Sequence, residues 1–157
     1  MSAPEDILKL TRAGPIQEIA RVGYAPFQGD DPIEIVFASG ALFHVDIGFE
    51  GATDVCVGEG SLLEAAYGHL RREEPDTWKN IARDWSREAL DLPWAIGETL
   101  TSPRRLIMTN PYRVDVGYAF RCGARELVLM GEADFIWATG LDDPELEGFG
   151  LEIGAAL

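Results

Sequence analysis

Basic residues are scarce in this chain and missing from long stretches of it. Lysine and arginine together number 13 against 27 aspartates and glutamates, a net charge of −14. Eight acids and no base lie between Arg21 and Arg71, and eight more, again without a base, lie from Glu126 to Leu157. A field of that sign repels nucleic acid phosphates and anionic lipid, so neither a nucleic acid nor a membrane surface is expected as partner. Cysteine is scarce too. Cys56 and Cys122 are far apart and fit no C-x-x-C or zinc-ligand spacing, which points to buried core thiols in a reducing compartment. The only histidines, His44 and His69, are too few for a multi-histidine metal centre.

Other absences narrow the reading further. No apolar run approaches the roughly 20 residues of a membrane-spanning helix. The first ten residues carry Pro4, Glu5 and Asp6 where a secretory leader would be basic and then apolar, so a cytoplasmic protein is expected. Nucleophile elbow, H-E-x-x-H helix, Walker loop and calcium-loop spacing are all missing, and no catalytic residue or cofactor is assigned. Gly58-x-Gly60 resembles a phosphate cradle only superficially, because Glu59 stands where an anion would bind and no lysine follows. Asp142, Asp143, Glu145 and Glu147 lack the ligand alternation of a calcium loop and read as a solvated stretch.

What is present is ample core material: 46% of the 157 residues are hydrophobic. A chain of this length buries roughly two-thirds of its unfolded surface as one domain, here spanning residues 1–157. Ser2 and Glu5 form a capping box for a short helix from Ala3 to Lys9, and Ile16 to Tyr24 has weak strand character. Ile33, Ile35 and Phe37 and then Phe43, Val45 and Ile47 alternate with their neighbours as two strands of a hairpin. A three-residue turn at Ala38-Ser39-Gly40 pairs Ile35 with Phe43 and keeps the apolar set on one face. Val55 and Val57 mark a further short strand.

Ser61-x-x-Glu64 is a capping box opening a second helix. A third is expected from Asp76 to Leu92, with Trp78, Ile81, Ala82, Trp85, Ala89 and Leu92 as a core-facing stripe and Pro93 as its stop. Residues 94–111 read as an irregular connection holding one short strand at Leu106 to Met108. A three-stranded meander follows, its first strand carrying Tyr112, Val114, Val116, Tyr118 and Phe120 on one face. Residues 139–157 read as an acidic, glycine-containing tail lying over the domain or fraying from it. The expected fold is therefore α+β: a mostly antiparallel sheet of about six strands with two or three helices on one face, in the order strands, helices, strands.

With no motif to follow, function is argued from charge and from the hairpin. Its register sets His44 opposite Glu34 and on the same face as Asp46, so these three could form the nucleus of a small non-motif enzyme site. An adaptor domain offering an exposed strand edge is a further alternative. The favoured expectation is an acidic protein that docks and neutralises a basic protein partner, as bacterial toxin-immunity proteins do. Its contact residues would be Asp30, Asp31, Glu34, His44, Asp46, Glu50 and Asp54, a group with no base near it in sequence. On that reading, Glu34→Lys with Asp46→Lys slows association and weakens its salt dependence while folding stays nearly intact, as stopped-flow binding across a salt series would show.

Overall fold

The computed structural model describes residues 4–47 and 54–157. An amphipathic helix α1 (Pro4–Thr11), with Ile7 and Leu10 buried, leads into strand β1 (Ile16–Tyr24) and the hairpin strands β2 (Ile33–Phe37) and β3 (Leu42–Ile47). Strand β4 (Val55–Glu59) is followed by three short helices, α2 (Leu62–Tyr67), α3 (Leu70–Glu73) and α4 (Pro75–Asp84), and the chain then returns as β5 (Trp85–Ala89). The second half is all strand but for one turn of 3₁₀ helix at Pro144–Leu146: β6 (Leu100–Met108), β7 (Val114–Cys122), β8 (Arg125–Glu132), β9 (Phe135–Gly140) and β10 (Leu151–Ala156).

These strands make two antiparallel five-stranded sheets, in the orders β4-β3-β2-β1-β5 and β10-β6-β7-β8-β9. The α+β class is as expected, but the described residues hold four α-helices where two or three were expected, and the single six-stranded sheet is two sheets. They face each other across one core, in which Ile19, Ile33, Ile35, Phe37, Phe43 and Val45 of the first sheet meet Tyr118, Phe120, Leu127, Leu129 and Ile136 of the second, with Ile7 and Leu10 of α1 alongside. Packing two apolar sheet faces together is the standard way for such surfaces to leave water. A second, smaller cluster covers the far side of the second sheet, where Val116, Val128, Met130 and Leu106 meet Leu146. Among the described residues no helix is long and apolar enough to cross a membrane.

The hairpin has the register its turn chemistry predicts, Ile35 against Phe43 and Glu34 against His44, with Gly40 at φ +92°. Four other expectations are corrected. The third helix stops at Asp84 instead of Leu92, because residues 85–89 zip onto β1, from Tyr24 against Trp85 to Ala20 against Ala89. The irregular connection contains a nine-residue strand, β6, disguised by Pro103, by Ser102 at φ +51° and by a register shift between Thr101 and Arg104. The first meander strand does not keep one face. A shift in the pairing of Leu106 and Ile107 with Gly117 and Asp115 leaves Tyr118 and Phe120 in the inter-sheet core but turns Val114 and Val116 to the other cluster. The tail is an integral strand: β10 pairs with β6, Leu151 against Met108, and Leu146 is buried.

Two glycines are required for different reasons. A Cβ on Gly117 would fall 1.9 Å from the Leu129 carbonyl oxygen on the neighbouring strand, whereas Gly40 has open space but a left-handed φ. Gly117→Ala is expected to cost about 3 kcal/mol or to abolish folding, since β7 and β8 must separate. Gly40→Ala should cost only about 1 kcal/mol. Urea denaturation of the two variants checks the contrast.

Candidate functional site

The face of the first sheet turned away from the second is crossed by a polar row. Glu34, on β2, is 2% exposed and has both carboxylate oxygens occupied. Arg87 on β5 donates from Nη1 to Oε1 at 2.8 Å, and the Leu62 backbone N–H at the start of α2 donates to Oε2 at 3.0 Å. The same guanidinium reaches Glu18 on β1 through Nη2 at 2.6 Å and Nε at 2.8 Å. A buried carboxylate persists only when its lone pairs are satisfied, and Glu34 meets that condition by fastening three separate elements together.

Beside this clamp the turn from β4 into α2 is fixed by His44. Its Nδ1 donates to the Gly60 carbonyl at 2.9 Å, and its Nε2 faces β4. A Cβ on Gly58 would lie 2.5 Å from that Nε2, so glycine is what lets the imidazole lie flat against β4. Ser61 then caps α2, its hydroxyl accepting the Glu64 N–H at 3.1 Å, as the capping-box spacing predicts. Asp46 and Cys56 sit opposite each other on β3 and β4. With His44, Gly58 and Leu62 they line an open cleft of about 220 Å³. Burial holds the Asp46 carboxyl above its ordinary value, opposed by the Ile47 N–H and by His44. Cys56 is thus half-buried in a cleft and not a core thiol; Cys122 is buried as expected, and burial pushes its thiol up to about 11.

The structure disperses the acidic group. His44 and Asp46 share the cleft, but Glu34 does not line it. Asp54 immediately precedes β4 and is paired at 3.0 Å with Arg105 of β6, whose guanidinium covers the Tyr118 ring at 4.4 Å. Asp31 anchors its own loop, accepting the Gln28 N–H through its side chain, and its carbonyl takes Arg21 Nη1 at 2.7 Å. Asp30 is exposed, and Glu50 lies outside the described residues. The premise that no base neutralises these carboxylates holds in sequence and fails in space. Arg87 and Arg105, 53 and 51 residues along the chain, supply the charge. Other arginines are likewise answered by the chain's own acids, Arg71 by Glu64 and Arg104 by Glu126.

Aromatic residues form the feature that sequence reading missed. Tyr24 and Trp85 are partners across β1 and β5, their rings edge to face at 5.7 Å and 76°. Tyr67, at the end of α2, meets the same indole at 6.0 Å and 73°. α2 therefore runs over the sheet from Glu34 to Trp85. None of α2, α3 or α4 contributes a buried residue, so the stripe of Trp78, Ile81 and Ala82 is only half-covered. Among the described residues no group of three or more metal-ligating side chains gathers closely enough to hold an ion. Comparison of the chain with protein-family models, with curated proteins and with solved structures gives no match.

The Glu34 geometry reverses one expectation: Glu34→Lys places a cation beside Arg87 in a buried position and should prevent folding. Arg87→Met is milder. It should cost about 2 kcal/mol, less than the roughly 3–5 of a fully enclosed pair because the guanidinium is half in water. Circular dichroism during urea titration measures both. For Asp46, the raised folded value means that ionisation opposes folding. Asp46→Asn should be more stable than the parent near pH 7, and this advantage should shrink as pH falls through the raised folded value and vanish well below the ordinary aspartate value of 3.8, where the parent carboxyl is neutral in both states. Paired melts at the two pH values test the sign.

Proposed function

We propose that this protein binds a basic protein partner and works by occupying it, in the manner of toxin-immunity proteins. The carrying observation is how the charges are distributed over the fold. The few cations are largely committed internally: Lys9 to Glu59, Arg87 to Glu18 and Glu34, Arg105 to Asp54, Arg113 to Glu152 and Arg125 to Asp142. The acid surplus is left at the surface, with Asp30, Glu73, Glu74, Asp76, Glu88 and Asp91 all exposed. A net charge of −14 spread this way gives a field that accelerates encounter with a cationic protein. Catalysis around Glu34, His44 and Asp46 has less support, because both Glu34 oxygens are hydrogen-bonded within the fold and the cleft holding the other two is small, about 220 Å³, and open.

The test begins with low-salt affinity isolation on the full chain, followed by association kinetics with the protein recovered. The expected partner is basic, and its association rate falls steeply as salt rises. Glu73→Lys with Asp91→Lys, both exposed, should slow association about threefold or more at low salt, with stability within about 0.5 kcal/mol of the parent. A neutral or acidic partner, or a rate indifferent to salt, overturns the reading.

A further inference from the structure

Three of the chain's own arginines already lie on aromatic faces: Arg71 over Trp78 at 4.5 Å, Arg105 over Tyr118 at 4.4 Å and Arg125 over Trp94 at 4.1 Å. The cluster of Tyr24, Trp85 and Tyr67 differs. Among the described residues no guanidinium stands over it, although Trp85 has an arginine two positions away on either side. Arg83 is turned to the Asp84 carboxylate at 2.9 Å, and Arg87 is drawn along the sheet to Glu18 and Glu34. Both neighbouring cations are thus held off the rings by carboxylates.

The cluster is also open. Tyr24 is 47% exposed, and β5 is the last strand of its sheet, so a partner can approach from the edge. Both tyrosine rings stand steeply to the indole, forming a corner of π faces and not a closed stack. Rings with negative π faces, on a molecule of net charge −14, suit a weakly hydrated planar cation.

We propose that the Tyr24–Trp85–Tyr67 corner is a receptor for an arginine side chain of the basic partner. This rests on the function proposed above and supplies what long-range charge alone does not, a fixed point of contact. Steering by the acidic surface brings the partner in, and the corner sets where one guanidinium comes to rest. Tyrosine, tryptophan and arginine are the residue types that most often dominate binding energy at interfaces.

The test separates the corner from the field around it. Methylguanidinium chloride is titrated into the full chain while the four indole N–H resonances, assigned by single Trp→Phe variants, are followed by NMR. A parallel titration with sodium chloride at equal ionic strength gives the shift due to salt alone. The Trp85 signal should move saturably and further than sodium chloride moves it. Those of Trp78 and Trp94, each already carrying an arginine on one face, and of Trp137, on the other sheet, should not. Tyr24→Leu and Tyr67→Leu should each weaken the response about two- to fivefold while leaving the fold intact. A Trp85 shift no larger than sodium chloride produces, equal shifts at all four indoles, or full binding by both leucine variants overturns the proposal. A nona-arginine peptide, titrated at low and high salt, tests the field separately. If it binds in a salt-dependent way while Trp85 ignores methylguanidinium, the corner is refuted and the acidic docking reading stands. If methylguanidinium saturates Trp85 but the peptide does not bind, the corner stands and the docking reading falls.

Discussion

The outer face of the first sheet depends on one buried carboxylate. Glu34 sits in the middle strand of its sheet, where an ionised group is tolerated only if every lone pair is answered. The answers come from Arg87, on a strand that joins the sheet late, and from Leu62, at the start of the helical excursion. Departure and return of the chain are tied to the same side chain. The residues between need no core of their own, which is why three helices can sit there without burying one side chain. Such a pair contributes less to net stability than its geometry suggests, because desolvation offsets much of the attraction. The pair spans β2 and β5, and the register in which β5 lies beside β1 brings Trp85 to Tyr24.

How much of this was legible in the sequence varied with how local the cause was. The β2–β3 hairpin and the Ser61 cap were readable because alternation, a turn glycine and a three-residue spacing decide them within a few positions. Strand β5 was not, since Trp78, Ile81, Ala82, Trp85 and Ala89 continue a helical period with no break at Asp84. What ends the helix is pairing with a strand some 65 residues earlier, from Tyr24 to Ala20. Tertiary contacts outweigh propensity there. The division into two sheets was hidden for a related reason, because β6 carries a proline and a left-handed serine that locally argue against strand.

The candidate site was legible only in its membership. Glu34, His44 and Asp46 do share one sheet face, as their register required. What the sequence could not show is that the charges answering the acids of this region arrive from distant segments, Arg87 for Glu34 and Arg105 for Asp54. A list of acids without a neighbouring base describes a chain, whereas electrostatics acts on a folded surface. The aromatic corner left less signal still. Tyr24, Tyr67 and Trp85 are scattered residues of kinds that usually serve a core, and only the late return of β5 brings them together.

The helical excursion has a consequence for how such a protein can change over time. A segment fastened at both ends by one side chain and contributing nothing to the interior is loosely coupled to the rest of the fold. Longer or shorter versions cost only the slowly growing entropy of closing a loop. Replacements along it escape the volume constraints that govern the space between the sheets. The scaffold can therefore hold its shape while the surface it presents drifts.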